Sequence, residues 1–382
     1  MKIAIVHEML IKFWGAERVL LELIKLYPEA DIFTLMYDEK KIGDVFPKTR
    51  VKCTWPAQWF FKLTGKPRAS LPLLPFSVSR IDISGYDLVI LSSSGFAHGV
   101  KKWNNAVHIC YCHSPARYLW DATDEVQREL WISNENFIKR IFIWPLVRLL
   151  FSWLRRVDLR ASKSPDIYIA NSREVWGRIQ KYYNRDSVIL WPPVDTERFV
   201  LEQSEGIVPV SQRKYFVVTS ALTPFKQVDR VIRVMTKLWI PLKIIGDGAQ
   251  RAELEKIAGN TIEFLWKISD EAVVEIYRNA RGFLMPQKED AGIAPLEALA
   301  AGVPVFWLAK WGLLEVNIDG VTGRFFPEET DESFERSFLG FDHEIGEGRY
   351  DESALLVDRA REFDVEKFRK GFREILYLEV KQ

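Results

Sequence analysis

Short apolar runs alternate with longer amphipathic ones along nearly the whole chain, and this alternation restricts the fold more than any other feature. Short apolar runs suit strands buried on both faces, and amphipathic stretches between them suit crossover helices, which together predict parallel sheets. The first series of strands runs through Lys2 to His7, Asp31 to Met36, Tyr86 to Ser92, Val107 to Cys112, Asp166 to Ala170 and Ser187 to Leu190, with a helix from Ala16 to Tyr27. A second series begins at Tyr215 to Ser220 and continues through Leu242 to Ile245, Thr261 to Leu265, Gly282 to Met285 and Val303 to Leu308. Helices are expected between these at Val228 to Leu238, Ala249 to Ile257, Asp270 to Asn279 and Pro295 to Ala301. Between the series lies Glu202 to Arg213, polar and without periodicity, which reads as a linker.

Two series in 382 residues suit two domains, and 48% hydrophobic with 27% charged residues is a globular composition. The expected parts are residues 1–200, 201–362 and a last helix within 363–382 that packs back on the first domain. The net charge of +1 conceals an asymmetry: residues 1–199 carry +8 and residues 200–382 carry −7. Cys53, Cys110 and Cys112 are too few for a secreted disulfide framework, and the chain opens on a strand-like run, so the expectation is a reduced cytoplasmic setting. Cys110, Cys112 and His113 lack an obvious fourth ligand, and the prediction is buried thiols and no metal site. No uncharged apolar run reaches the length that spans a bilayer.

Glu289 and Glu297 carry most of the functional information. Glu289 follows the strand at Gly282 to Met285, and Glu297 lies in a helix that Pro295 opens and Gly302 and Pro304 close. Residues 291–296 thus lead from a strand end into a helix N-terminus, which favours phosphate, and a carboxylate one turn further suits sugar hydroxyls. An isolated pair of glutamates is more often solvated surface.

The run Glu289 to Val305, Glu-x7-Glu then Ala-Leu-Ala-Ala-Gly-Val-Pro-Val, resembles the signature of glycosyltransferase family 4. Gly246-Asp-Gly248, Asn171-Ser172, Trp191-Pro-Pro-Val-Asp-Thr-Glu-Arg-Phe199 and Gly15-Ala-Glu-Arg-Val19 agree with that family in its usual order. Ile109 to Asp121 is similar to its WbaZ-like mannosyltransferase branch. The resemblance spans about residues 1–330 and implies the GT-B fold, two doubly wound Rossmann-like domains facing a cleft. It implies a retaining, metal-independent hexosyltransferase that needs no cofactor beyond its nucleotide-sugar donor, with GDP-mannose favoured and a UDP-sugar the alternative. The acceptor it implies is a glycan or polyprenyl-linked sugar.

By the same resemblance Lys226 contacts the diphosphate, Glu289 holds the donor sugar and His113 reaches it. Backbone N–H groups of Gly292, Ile293 and Ala294 meet donor oxygens, Glu297 takes the ribose hydroxyls, and Gly246, Gly248 and Gly15 allow close approach. Ala221 stands where the family carries an Arg. Ala291 replaces a Phe, and Trp14, Trp266 and Trp311 replace glycines. These departures raise the alternative of a catalytically impaired sugar-nucleotide or glycan-binding protein on the same scaffold.

Residues 137–163 hold seven Lys/Arg against one Asp among Phe, Trp and Leu. With Lys139, Arg140, Trp144, Arg148, Trp153, Arg155 and Arg156 they suit an anionic membrane surface, the inner face of the cell membrane, and Trp55 to Phe76 adds a second apolar stretch with cations. The competing reading is a partly buried helix with a solvated basic face. Pro145 is expected to break any single helix there. No recognition motif points to nucleic acid.

Overall fold

The computed structural model describes residues 1–103, 106–121, 137–200, 208–266 and 268–380, and of residues 137–144, 379 and 380 the backbone alone. They form two compact units, Met1–Trp191 with Arg369–Gln382, and Pro192–Phe368.

In the first unit the strands β1 (Ile3–His7), β2 (Asp31–Thr34), β3 (Val51–Cys53), β4 (Leu88–Ser93), β5 (Val107–Cys112), β6 (Ile167–Ala170) and β7 (Val188–Ile189) pair in parallel in the order β3-β2-β1-β4-β5-β6-β7. Every residue of β1 and β4 is buried, as a sheet covered on both faces requires. The helix Gly15–Leu26 turns Val19, Leu20, Leu23 and Ile24 inward. Cys110 and Cys112 are buried in the core.

The helix expected to break at Pro145 does not: it is continuous from Phe137 to Ala161. An internal Pro removes one hydrogen bond and costs about 3 kcal/mol. Val147, Phe151 and Leu154, all buried and spaced at helical period, offset that loss through packing. Asp158 continues the same stripe and accepts hydrogen bonds from Trp120 Nε1 (2.8 Å) and Tyr183 OH (3.0 Å).

The second unit pairs β8 (Tyr215–Thr219), β9 (Leu242–Ile245), β10 (Ile262–Leu265), β11 (Ala280–Met285), β12 (Val305–Leu308) and β13 (Gly323–Phe326) in the order β10-β9-β8-β11-β12-β13, again all parallel. Its core is aromatic. Phe306 packs on Phe326, Phe334, Phe338 and Phe341 with centroids 5.1 to 5.7 Å apart. Three of these rings come from the helix Asp331–Gly346, whose start is capped by Thr330 Oγ1 accepting from the Ser333 N–H at 3.1 Å.

Both units are thus doubly wound Rossmann-like folds, as the alternation predicts. β3, β13 and the helices Asp331–Gly346 and Ala354–Arg361 were absent from the expectation, whereas the expected last helix is present at Val365–Val380. The units divide at Trp191 rather than at residue 200, because Val194 bridges to Asp364 and Phe199 packs on Tyr277 inside the second unit. Part of the expected linker, residues 201–207, lies outside the described residues. Residues from Arg369 onward belong to the first unit, where Arg369 Nη2 meets Glu22 at 2.5 Å and Phe372 packs edge-on against Tyr27.

In each sheet the chain reverses its winding once, between β1 and β4 and between β8 and β11. Such switch points open a crevice beyond the carboxyl ends of the strands, where ligands of this fold bind.

Candidate active site

At the second unit's switch point, the loop after β8 and the loop after β11 meet through an ion pair. Lys226 Nζ lies 2.5 Å from Glu289 Oε2, and both side chains are about one-quarter exposed. Lys226 ends a short turn, Pro224–Lys226, before the helix Val228–Lys237. Thr219 Oγ1 and Gln287 Oε1, at the ends of β8 and β11, are buried with no hydrogen-bond partner among the described residues.

Gly292, in the left-handed region at φ +67°, caps the helix Ile293–Ala300. A Cβ at this position would meet Leu313 Cδ2 at 2.8 Å. The first turn presents the N–H groups of Ile293 and Ala294 but none from Pro295. Glu297, one turn in, is almost wholly buried. Gly246 and Gly248 answer a different need. A Cβ on Gly246 would lie 1.9 Å from the Ser220 carbonyl, and one on Gly248 2.2 Å from that of Leu222. Their smallness therefore clasps the loops after β8 and β9 together, which shapes the crevice from behind.

Lys288 and Lys310 both reach Glu329, at 2.7 and 2.8 Å, and Gln227 Nε2 joins them at 3.2 Å. Burial alone would raise the Glu329 carboxyl, but hydrogen bonds from Lys288, Lys310 and Gln227 outweigh it and hold it down at about 2. Trp311 has φ +60°, rare for a bulky residue, and its backbone bridges to Glu289. Ala221 and Ala291 lack the guanidinium and the aromatic ring that the family pattern has at these places. Trp266 is about half exposed beneath the Arg251 guanidinium, 4.8 Å from the ring centre.

The first unit's switch point is built differently. His113 Nε2 lies 2.8 Å from Ser92 Oγ, Ser92 Oγ 2.9 Å from His7 Nδ1, and His7 Nε2 3.4 Å from Glu17 Oε1. Glu17 Oε2 accepts from the Trp14 N–H at 2.8 Å, so the relay ends on the residue before Gly15 at the start of a helix. Burial, with His7 close by, pushes the His113 imidazole down to about 3, so it is neutral at physiological pH. Glu8, also buried, accepts from the Phe96 and Ala97 N–H groups at 2.9 Å each.

Sequence reasoning named His113 and Gly15 but missed His7, Ser92, Glu17 and Glu8. For His7, Glu8 and Ser92 the signal is a polar ending to otherwise apolar strands, His7-Glu8 closing β1 and Ser92-Ser93 closing β4, while Glu17 lies inside the Gly15-Ala-Glu-Arg-Val19 motif. The exposed basic face also has a definite composition. Leu146 and Leu149 are about two-thirds exposed beside exposed Arg148 and Arg156, and Trp153 stacks on half-exposed Phe76 at 5.8 Å. Arg155 instead donates to the Leu119 carbonyl at 2.6 Å, which draws its guanidinium away from that face. The side chains of Lys139, Arg140 and Trp144 lie outside the described residues. Among the described residues no helix is long and apolar enough to cross a membrane.

Residues 14–198 match the family described as Glycosyltransferase Family 4, and residues 201–341 the family described as Glycosyl transferases group 1. No curated protein matches the chain by sequence. Among solved structures, the sucrose-phosphate synthase of Thermosynechococcus elongatus is similar at TM-score 0.73 and 15% identity, over 100% of this chain and 99% of that one. Anabaena HepE in complex with UDP-glucose is similar at 0.71 and 15%, over 99% and 100%. WaaG, a glycosyltransferase involved in lipopolysaccharide biosynthesis, follows at 0.68 and 18%, over 98% and 99%. At these identities the likeness concerns the fold, which is the GT-B class.

Proposed function

We propose that the chain, whose two halves match the models of Glycosyltransferase Family 4 and Glycosyl transferases group 1, is a glycosyltransferase that moves mannose or a related hexose, with retention, from a nucleoside diphosphate donor to a lipid-linked or surface glycan. The Lys226–Glu289 pair at the β8/β11 switch point carries this reading. Departure of a nucleoside diphosphate builds charge on its terminal phosphate, and a lysine with a helix N-terminus neutralises it. The oxocarbenium-like sugar left behind is stabilised by a carboxylate, the part assigned to Glu289. Glu297 takes the ribose hydroxyls, and the N–H groups of Gly292, Ile293 and Ala294 take donor oxygens. His113, neutral, serves the reacting sugar as a hydrogen-bonding group.

Mannose follows from the likeness of residues 109–121 to the WbaZ-like branch, whereas HepE is named with UDP and UDP-glucose. GDP-mannose and UDP-glucose are therefore the two donors to offer with a polyprenyl-linked acceptor. Transfer from either, with the anomeric configuration of the product retained, supports the reading. Ala221 and Trp311 favour one second reading, a binding protein of impaired catalysis, which predicts nucleotide binding without product. Absence of nucleotide binding sinks both.

The acceptor side is assigned to an anionic membrane surface through Leu146, Leu149, Phe76, Arg148 and Arg156. Apolar side chains insert there while guanidinium groups meet the headgroups. Flotation with liposomes containing anionic lipid, weakened several-fold in a Leu146→Glu, Leu149→Glu double variant, is the expected result. Equal flotation with neutral lipid overturns it.

A further inference from the structure

We propose that Lys288 and Lys310 form a second cationic arm of the diphosphate site, and that Glu329 occupies it as a displaceable counter-ion. This rests on the donor reading above and concerns which residues grip the donor. The loop after β8 offers a single cation to the crevice, Lys226, because position 221 is Ala. A diphosphate carries more charge than one ammonium group neutralises. On the same sheet edge Lys288, from the loop after β11, and Lys310, from the loop after β12, converge on one carboxylate of the loop after β13.

The two ion-pair groups are joined at both ends. Gln227, which also bonds Glu329, is the chain neighbour of Lys226, and Lys288 is the chain neighbour of Glu289. Together they comprise three ammonium groups against two carboxylates, a local excess of one positive charge. Lys288 and Lys310 are 30% and 40% exposed, so an anion from solution reaches them. Glu329 is held ionised by two ammonium groups and an amide, the kind of donor set that binds a phosphate oxygen.

Two further observations fit. Lys288 Nζ stands 5.7 Å from the centre of the Trp311 ring, an aromatic face that fixes the ammonium group in place. Trp311 itself is kept in the left-handed region, the kind of backbone strain that persists where a site requires it. The neighbouring guanidinium of Arg230 is spoken for, bonded to Gln227, Asp331 and the Glu329 carbonyl.

The test is calorimetric titration of the full chain and its Lys288→Met, Lys310→Met and Glu329→Gln variants with GDP, UDP, GMP, UMP and inorganic pyrophosphate. Methionine keeps the apolar stem and removes only the ammonium group. We expect diphosphate affinity to fall about tenfold or more in at least one lysine variant, the range for a hydrogen bond to a charged group. Monophosphate affinity should move less than about threefold. Glu329→Gln should bind diphosphates several-fold more tightly, because a competing anion is gone, and a gain cannot arise from misfolding. Undiminished diphosphate binding in both lysine variants, or weakened binding in Glu329→Gln, overturns the proposal. Wild-type protein that binds no diphosphate overturns instead the donor reading beneath it.

Discussion

The two switch points of this protein use the same topology for opposite electrostatics. In the first unit a chain of hydrogen bonds runs from a partly buried His113 to Ser92, His7 and Glu17, which are buried, and desolvation keeps His113 neutral. In the second, ionised side chains pair across loops: Lys226 with Glu289, and Lys288 and Lys310 with Glu329. Burial explains the divergence. A desolvated imidazole gives up its proton, whereas partly exposed ammonium and carboxylate groups keep their charge when each has a partner. A neutral relay holds one geometry. An ionic cluster can exchange a carboxylate for a phosphate, the exchange proposed above for a charged donor.

The sharpest way to break this comparison is Lys226→Ala. If the second site works by charge, kcat/KM for hexosyl transfer should fall about 10²- to 10³-fold, the loss typical of removing one preorganised charge-stabilising group. Steady-state kinetics showing less than about a threefold loss would remove the ionic side of the contrast.

A pH experiment tests whether burial keeps the first unit's histidines neutral. His108, buried on β5, is pushed down to about 4 by burial, against which Asp166 acts weakly. Its unfolded form binds a proton below about 6.5. The unfolded state therefore holds more protons between these values, so stability is present above pH 6.5 and lost as pH falls towards 4. His113, at about 3, and His98, at about 4, act in the same sense, whereas Asp158, raised by burial to about 7, acts in the opposite one. His108→Leu should flatten the acid limb of thermal unfolding by up to about 3 kcal/mol. In the second unit Glu329 loses its contribution only below about pH 4.5. A wild-type and His108→Leu pair with parallel melting temperatures from pH 7 to 4 would contradict the assignment.

Backbone demand separates the sites next. Gly292→Ala forces a left-handed Ala against Leu313 and should cost about 1–2 kcal/mol, read by denaturant unfolding, with weaker donor binding. A stabilised variant would mean that the loop adapts. The smallest expected effect is Ser92→Ala, which removes the link between His113 and His7. We expect a loss of about 1 kcal/mol in stability and a lower kcat, with nucleotide affinity unchanged. A changed affinity with an unchanged kcat would show that the relay supports binding rather than the reacting sugar.

Some of this is legible in the sequence. Apolar runs such as Ile3 to His7 and Leu242 to Ile245 are strands because only a sheet covered on both faces accommodates them. Gly292, Pro295 and the alanines that follow announce a helix start beyond a strand. Glu289 and Glu297 stood out by their places beyond that strand and inside that helix, and the roles of both and of Lys226 came from the resemblance to family 4. Pro145 shows where local rules stop, since Val147, Phe151 and Leu154 keep a helix that propensity alone would break.

The sequence by itself determined two doubly wound domains and the loops that carry chemistry, because strand and helix periods are properties of neighbouring residues. Only the tertiary structure decided which side chains from distant loops share a site and in which charge state. His7 with Ser92, 85 positions apart, and Lys226 with Glu289, 63 apart, meet through strand order, and their burial or exposure sets their charge. Strand order and burial follow from packing over the whole chain, which no local window of sequence contains.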